Sequence, residues 1–149
     1  MAGVAIQITP LDLDAVVGRL REIHGRIDMG EMVQMTAGIV ESQTRRRISE
    51  DKSAPDGTPW ADWSPAYAET RHGGQSLLQG RGDLLDSIFG VVSGALAEVG
   101  TNMVYGAAQQ LGTESQGGGI PARPFLGVSD DNFGEIEDVL GDYFEGLAA

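Results

Sequence analysis

Chemistry needs convergent reactive groups, and this chain supplies few. It has two histidines, His24 and His72, and no cysteine. The histidines stand far apart, so a zinc site or a His-activated nucleophile would lack the neighbouring ligands it needs. His24 falls beside the apolar stripe of a predicted helix, and His72 falls in a glycine-rich loop and reads as solvent-facing. Without cysteine, disulfides and thiolate metal sites are excluded, and the redox compartment cannot be read. Neither Gly80-Arg81-Gly82 nor Gly117-Gly118-Gly119 opens onto the Gly-Lys-Ser/Thr of a phosphate loop. Asp130 and Asp131 suit the first turn of a helix, where the dipole favours negative charge, and need no acid–base role. Arg81-Gly82-Asp83 spells an adhesion tripeptide, a short match that chance often supplies. The reading is therefore a protein with no catalytic group, no cofactor and no metal. A small hydrolase is the weakest alternative.

Recognition is better provided for. Asp56-Gly57-Thr58-Pro59-Trp60-Ala61-Asp62-Trp63-Ser64-Pro65-Ala66-Tyr67 gathers both tryptophans and a tyrosine around turn residues that cannot extend a helix. Trp60 and Trp63 are open to two roles, as plugs in the chain's own core or as anchors between subunits. Trp60, Trp63, Tyr67, Arg81, Tyr105, Arg123 and Phe125 are the candidate interface residues. Arg123, set between Ala122 and Pro124, could meet a carboxylate on a neighbour or within its own chain. Arg45, Arg46 and Arg47 are candidates for charge steering or for lining a DNA channel, with subunit carboxylates the preferred partners. Under the interface role, Trp60→Ala weakens assembly more than folding.

These residues must be positioned by a frame. Val4–Ile8 alternates weakly and reads as a short edge strand ended by Thr9-Pro10. Leu13, Val16, Val17, Leu20, Ile23 and Ile27 then recur at helical spacing, with Asp12 or Asp14 as cap. After a break at Gly25–Gly30, a second helix is predicted over Glu31–Ser49, with Met32, Val33, Thr36, Ile39, Val40 and Gln43 inward. A loop covers Glu50–Gly74, and within it Ser64 caps a short helix opened by Pro65. One helical turn follows at Asp83–Ser87. Two apolar runs around Ser93-Gly94 predict a hairpin. Tyr105–Leu111 reads as a short helix closed by Gly112. Thr113–Gly119 reads as a mobile glycine-rich loop, and Ile120–Leu126 as a segment stiffened by proline. The last helix starts near Ser129, with Phe133, Ile136, Val139, Leu140, Tyr143 and Phe144 inward. The expected class is α+β: a small antiparallel sheet packed with helices, a long aromatic loop and an acidic C-terminal helix. One domain is expected over 1–149, with front helices about 11–49, loop about 50–74, hairpin about 87–100 and last helix about 129–147.

The chain of 149 residues is long enough for a real core. Its 22 acidic and 10 basic residues leave a net charge of −12, which repels nucleic acid in general and favours solubility. From Pro124 to Ala149 there are seven acidic residues and no basic one, an asymmetry that could steer copies head to tail. No basic leader and no membrane span is read, so the expectation is a soluble cytosolic protein.

Four segments, in order, resemble the phage virion morphogenesis family of Mu-like phages, also called tail completion proteins. They are Arg45-Arg46-Arg47-Ile48 running into Asp56-Gly57-Thr58-Pro59-Trp60-Ala61; Leu77-Leu78 through Gly80-Arg81-Gly82-Asp83-Leu84 to Ser87; Gly100-Thr101-Asn102 through Tyr105 to Gly112; and Ile120-Pro121-Ala122-Arg123-Pro124-Phe125-Leu126-Gly127 with its acidic helix. The departures are Gln109 in place of the family's usual histidine, Asp83 in place of an apolar residue, and Trp63 in place of a common leucine. An amide at Gln109 means that the site does not depend on imidazole. The resemblance implies a structural virion protein at the neck, assembled in the host cytoplasm. It implies a ring of copies, generally six-fold, around the DNA channel. The implied partners are head-side connector or adaptor proteins, tail terminator or tail tube and sheath proteins, and genomic DNA passing without sequence-specific binding. No membrane partner is implied. The loops Glu50–Gly74 and Thr113–Leu126 are the expected contacts between neighbours. The rival is an assembly chaperone or monomeric binding module absent from the finished particle.

Overall fold

The computed structural model describes residues 10–114 and 118–149. The strand expected at Val4–Ile8 lies outside them, as does the centre of the Thr113–Gly119 loop. The order is α1 (Pro10–Arg26), α2 (Met29–Arg46), a π-helical turn (Arg47–Asp51), α3 (Pro65–Ala68), α4 (Asp83–Asp86), β1 (Ile88–Ser93), β2 (Leu96–Thr101), α5 (Gly106–Leu111) and α6 (Asp130–Ala148). The class is α+β, as read from the sequence.

Several of these elements depart in detail from the sequence reading. Pro10 is the first residue of α1, where its fixed φ and missing N–H suit a first helical turn. Asp12 and Asp14 therefore lie within the helix and not at its N-cap position. The apolar stripe of α1 is only partly covered: Val17, Ile23 and the following Ile27 are half-buried, but Leu13, Val16 and Leu20 are 58%, 55% and 60% exposed. The helix is tied down near its C-terminal end. Arg19 Nη2 donates to the Ala148 carbonyl at 2.7 Å, and the Asp28 N–H donates to the Tyr143 hydroxyl at 2.9 Å.

Asp28 caps α2 by accepting the Glu31 N–H at 3.1 Å, so the helix begins earlier than Glu31. Its two sides hold different layers. Ala37, Glu41 and Arg45 face the hairpin, where Gly90 lies against Ala37. Gln43 and Arg46 face α6 and reach Glu135 at 2.8 and 3.1 Å. The molecule is thus layered as hairpin, α2, α6. In α6, Ser129 and Asn132 form a capping box. Ile136 is buried and Val139, Leu140 and Tyr143 are half-buried, but Phe133 (56%) and Phe144 (39%) are exposed. These two flank the narrow seam with α2 instead of filling it.

The hairpin pairs Ile88 with Thr101 and Ser93 with Leu96. Its turn is Gly94–Ala95, one residue later than expected, with Gly94 at φ 60° where a two-residue hairpin wants glycine first. The central core is built mostly by short pieces: Ile48, Trp60, Leu84, Ile88 and Phe125 come from the π turn, the aromatic loop, α4, β1 and the proline-rich segment. Among the described residues the long helices add only Ala37 and Ile136 to the buried apolar set, with Gln43 and Thr44 of α2 buried as polar residues.

Candidate partner-binding cleft

The aromatic loop is shaped by backbone hydrogen bonds. The Ala54 N–H donates to the Thr58 carbonyl at 2.8 Å, and the Gly57 N–H to the Ala54 carbonyl at 2.9 Å. Asp56 accepts the Thr58 N–H at 2.9 Å, an Asx-type turn that holds its carboxyl below the usual carboxylate range. This turn sends Trp60 into the core, where its Nε1–H donates to the Pro124 carbonyl at 2.9 Å.

Past the turn, Ser64 caps α3 and Pro65 takes its first position, as read from the sequence. The short helix presents Tyr67. Trp63 meets that ring edge-on at 6.0 Å, and the Arg71 guanidinium lies over it at 4.3 Å. Facing them are Tyr105 and Gln109 at the start of α5 and in it, with Ile120 and Pro121 beyond. Arg81, Asp83 and Leu84 close one end and Arg123 is also in the wall. The cleft, open to solvent on one side, measures about 440 Å³.

Polar side chains fix its walls. Arg123 joins the proline-rich segment to the aromatic loop through the carbonyls of Ala61 (2.8 Å) and Asp62 (3.1 Å). Gln110 Oε1 accepts the N–H groups of Phe125 and Leu126, both at 2.9 Å, and its Nε2 donates to the Leu126 carbonyl. The Lys52 ammonium donates to the carbonyls of Ile48 and Leu77 and to Gln79 Oε1. That grip holds the tight Ser76–Gln79 turn, in which Leu78 adopts the left-handed φ of 56° that leucine rarely takes.

Of the seven candidate interface residues, the structure brings Trp63, Tyr67, Arg81, Tyr105 and Arg123 to this cleft. Trp60, Arg123 and Phe125 lie in the interior of this chain, at 5%, 6% and 0% exposure. Trp60 and Arg123 also spend their donors on this chain's own carbonyls. The arginine triplet is likewise occupied at home. Arg45 pairs with Glu41 at 3.1 Å and reaches the Ile88 carbonyl at 2.5 Å. Arg46 pairs with Glu135 at 3.1 Å. Arg47 is buried, donating to the Phe125 carbonyl and Asn132 Oδ1, both at 2.6 Å, and burial lowers its pKa.

Two cations remain for a guest. Arg71 and Arg81 have no carboxylate within ion-pair distance among the described residues. Burial, and then Asp83, raise the Tyr105 phenol, which keeps it neutral. Gln109 Oε1 is buried without a donor among the described residues, a cost of about 1–3 kcal/mol. Among the described residues no three His, Asp or Glu side chains gather as metal ligands. Sequence reading missed Arg71, which stands in the turn just past α3 and comes over the Tyr67 ring only through the fold of that turn. No signal marked Gln110 as the clamp.

A model of the phage virion morphogenesis family matches residues 11–145. The chain belongs to that family. It is 28% identical over 134 residues to "Mu-like prophage FluMu G protein 1" of Haemophilus influenzae, covering 87% of this chain and 88% of that protein. No solved structure matches it significantly. A virion morphogenesis family is a structural family and not an enzyme family, and membership supports a role in building the phage particle. Among the described residues of this virion morphogenesis chain, no helix is long and apolar enough to cross a membrane.

Proposed function

We propose that this virion morphogenesis protein is a neck component, assembling as a ring of copies that completes the tail and joins it to the head around the DNA channel. The observation that carries the reading is the amount of large apolar surface left uncovered: Leu13, Val16 and Leu20 on α1, and Phe89, Val91 and Leu96 on the outer face of the hairpin. Apolar patches of this kind on a structural chain mark contacts with other chains. A ring, six-fold by family resemblance, would cover them. Its neighbours would be head-side connector proteins on one side and tail terminator, tube or sheath proteins on the other. A surface of net charge −12 would let DNA pass with little adhesion.

Native mass measurement of the purified protein, followed by imaging of the neck, tests this. The expected results are a discrete oligomer and density for this chain at the head–tail joint. Purified virions that lack the chain by mass spectrometry would favour the chaperone reading instead.

A further inference from the structure

The cleft is lined by three guanidinium groups and one carboxylate, Asp83. Arg123 is spent on the Ala61 and Asp62 carbonyls, which leaves Arg71 and Arg81 without ion-pair partners among the described residues, in a chain where acids outnumber bases by 22 to 10. Arg71 is braced on the Tyr67 ring, so it is ordered before any guest arrives. Trp63, Tyr105 and Pro121 supply apolar wall between the charges. A fitting guest therefore carries carboxylates beside an aromatic or aliphatic side chain.

One surface of this same chain has that chemistry. The outward side of α6 carries Glu137, Asp138, Asp142 and Glu145, all exposed and none in an ion pair among the described residues. Phe133 and Phe144 are exposed on its flank. Gly134 and Gly141 lie between, with open space where a Cβ would stand, so another surface can approach closely. The opposite side of α6 is seated on α2 through Gln43 and Arg46, and no residue of α6 lines the chain's own cleft.

Resting on the ring reading above, we propose that the cleft of one copy receives the outward face of α6 from the next copy. Arg71 and Arg81 meet its carboxylates, and an exposed phenylalanine packs against Trp63 and Tyr105. This is a helix-in-groove contact between two different surfaces of one molecule, which makes it head-to-tail and able to close a ring.

Charge reversal with rescue tests it. Arg71→Glu/Arg81→Glu and Asp138→Arg/Glu145→Arg are each expected to fold, since all four side chains lack in-chain ion pairs among the described residues. Each double variant should need at least about tenfold more protein for half-assembly by native mass measurement. An equimolar mixture should regain the wild-type oligomer as an alternating ring, because every contact again joins opposite charges. Circular dichroism and the unfolding midpoint of each variant separate lost contact from lost fold. If the wild type forms the oligomer and either double variant assembles equally well, the cleft contact is wrong and the ring stands. If both variants fail and the mixture stays dissociated, the two surfaces are not partners. A wild-type chain that stays monomeric at every concentration, and is missing from the neck, removes the ring reading itself.

Discussion

Trp60 and Trp63 stand three residues apart and occupy opposite environments. Trp60 is in the core with its indole N–H satisfied by Pro124, so truncating it leaves a cavity and an unpaired carbonyl. Trp60→Ala should cost about 3–5 kcal/mol in denaturant unfolding, with assembly lost alongside folding and not before it. Trp63 is half-buried at the cleft, and Trp63→Ala should cost the monomer about 1 kcal/mol or less while weakening the oligomer. Glu135 sets a pH dependence. The Gln43 amide first, and Arg46 second, hold its carboxyl below the ordinary glutamate range. The unfolded chain then binds the proton more tightly than the folded one. The contribution is complete above the unfolded value of about 4.3 and is lost as pH falls through the lower folded value. Solvent screening keeps it small, since the carboxylate is 43% exposed. Glu135→Gln should lower the melting point at pH 7 and narrow the wild-type difference between pH 7 and acid, as read by thermal scans at both.

At the scale of elements, the hairpin has two unlike edges. On β1 the Gly90 N–H donates to Glu41 at 3.0 Å and the Ile88 carbonyl accepts from Arg45, so a charged pair on α2 caps the strand. Charge at an edge discourages unwanted strand pairing. Glu41→Ala removes the acceptor and loosens Arg45, with an expected loss of about 1–3 kcal/mol and increased light scattering on heating. The proline-rich segment is fixed to the aromatic loop by a second close approach. Gly127 has φ 146°, and an added Cβ would stand 2.7 Å from Pro55 Cγ. Gly127→Ala should therefore lower the unfolding midpoint through both backbone strain and collision, a larger effect than alanine at an open glycine such as Gly134.

For the whole molecule, the notable fact is how much of the long-helix surface faces outward. The core is made where loops cross, while α1 offers Leu13, Val16 and Leu20 to solvent. Replacing these three by glutamine should leave monomer unfolding nearly unchanged, because surface substitutions usually move stability by about 0.5 kcal/mol or less. The same variant should assemble poorly under the ring reading, and native mass measurement gives the answer. A triple variant that melts far below the wild type would instead mean that α1 packs on its own chain.

Local rules carried much of the description. Ser64-Pro65 fixed the start of α3, Ser129 and the acidic pair fixed the start of α6, and two apolar runs around a glycine fixed the hairpin, since caps, proline and turn chemistry act over a few residues. Four ordered motifs also placed the chain in its family. Which apolar residues are covered was not written locally. Helical spacing identifies a stripe on α1 or α6, but burial requires a second surface, and only the packing shows that Phe125 has one and Leu13 does not. The arginine triplet makes the same point: three adjacent cations read as one basic patch, yet successive helical positions point about 100° apart. The tertiary structure sends them separately to β1, to α6 and into the core, because each finds its acceptor on a different layer.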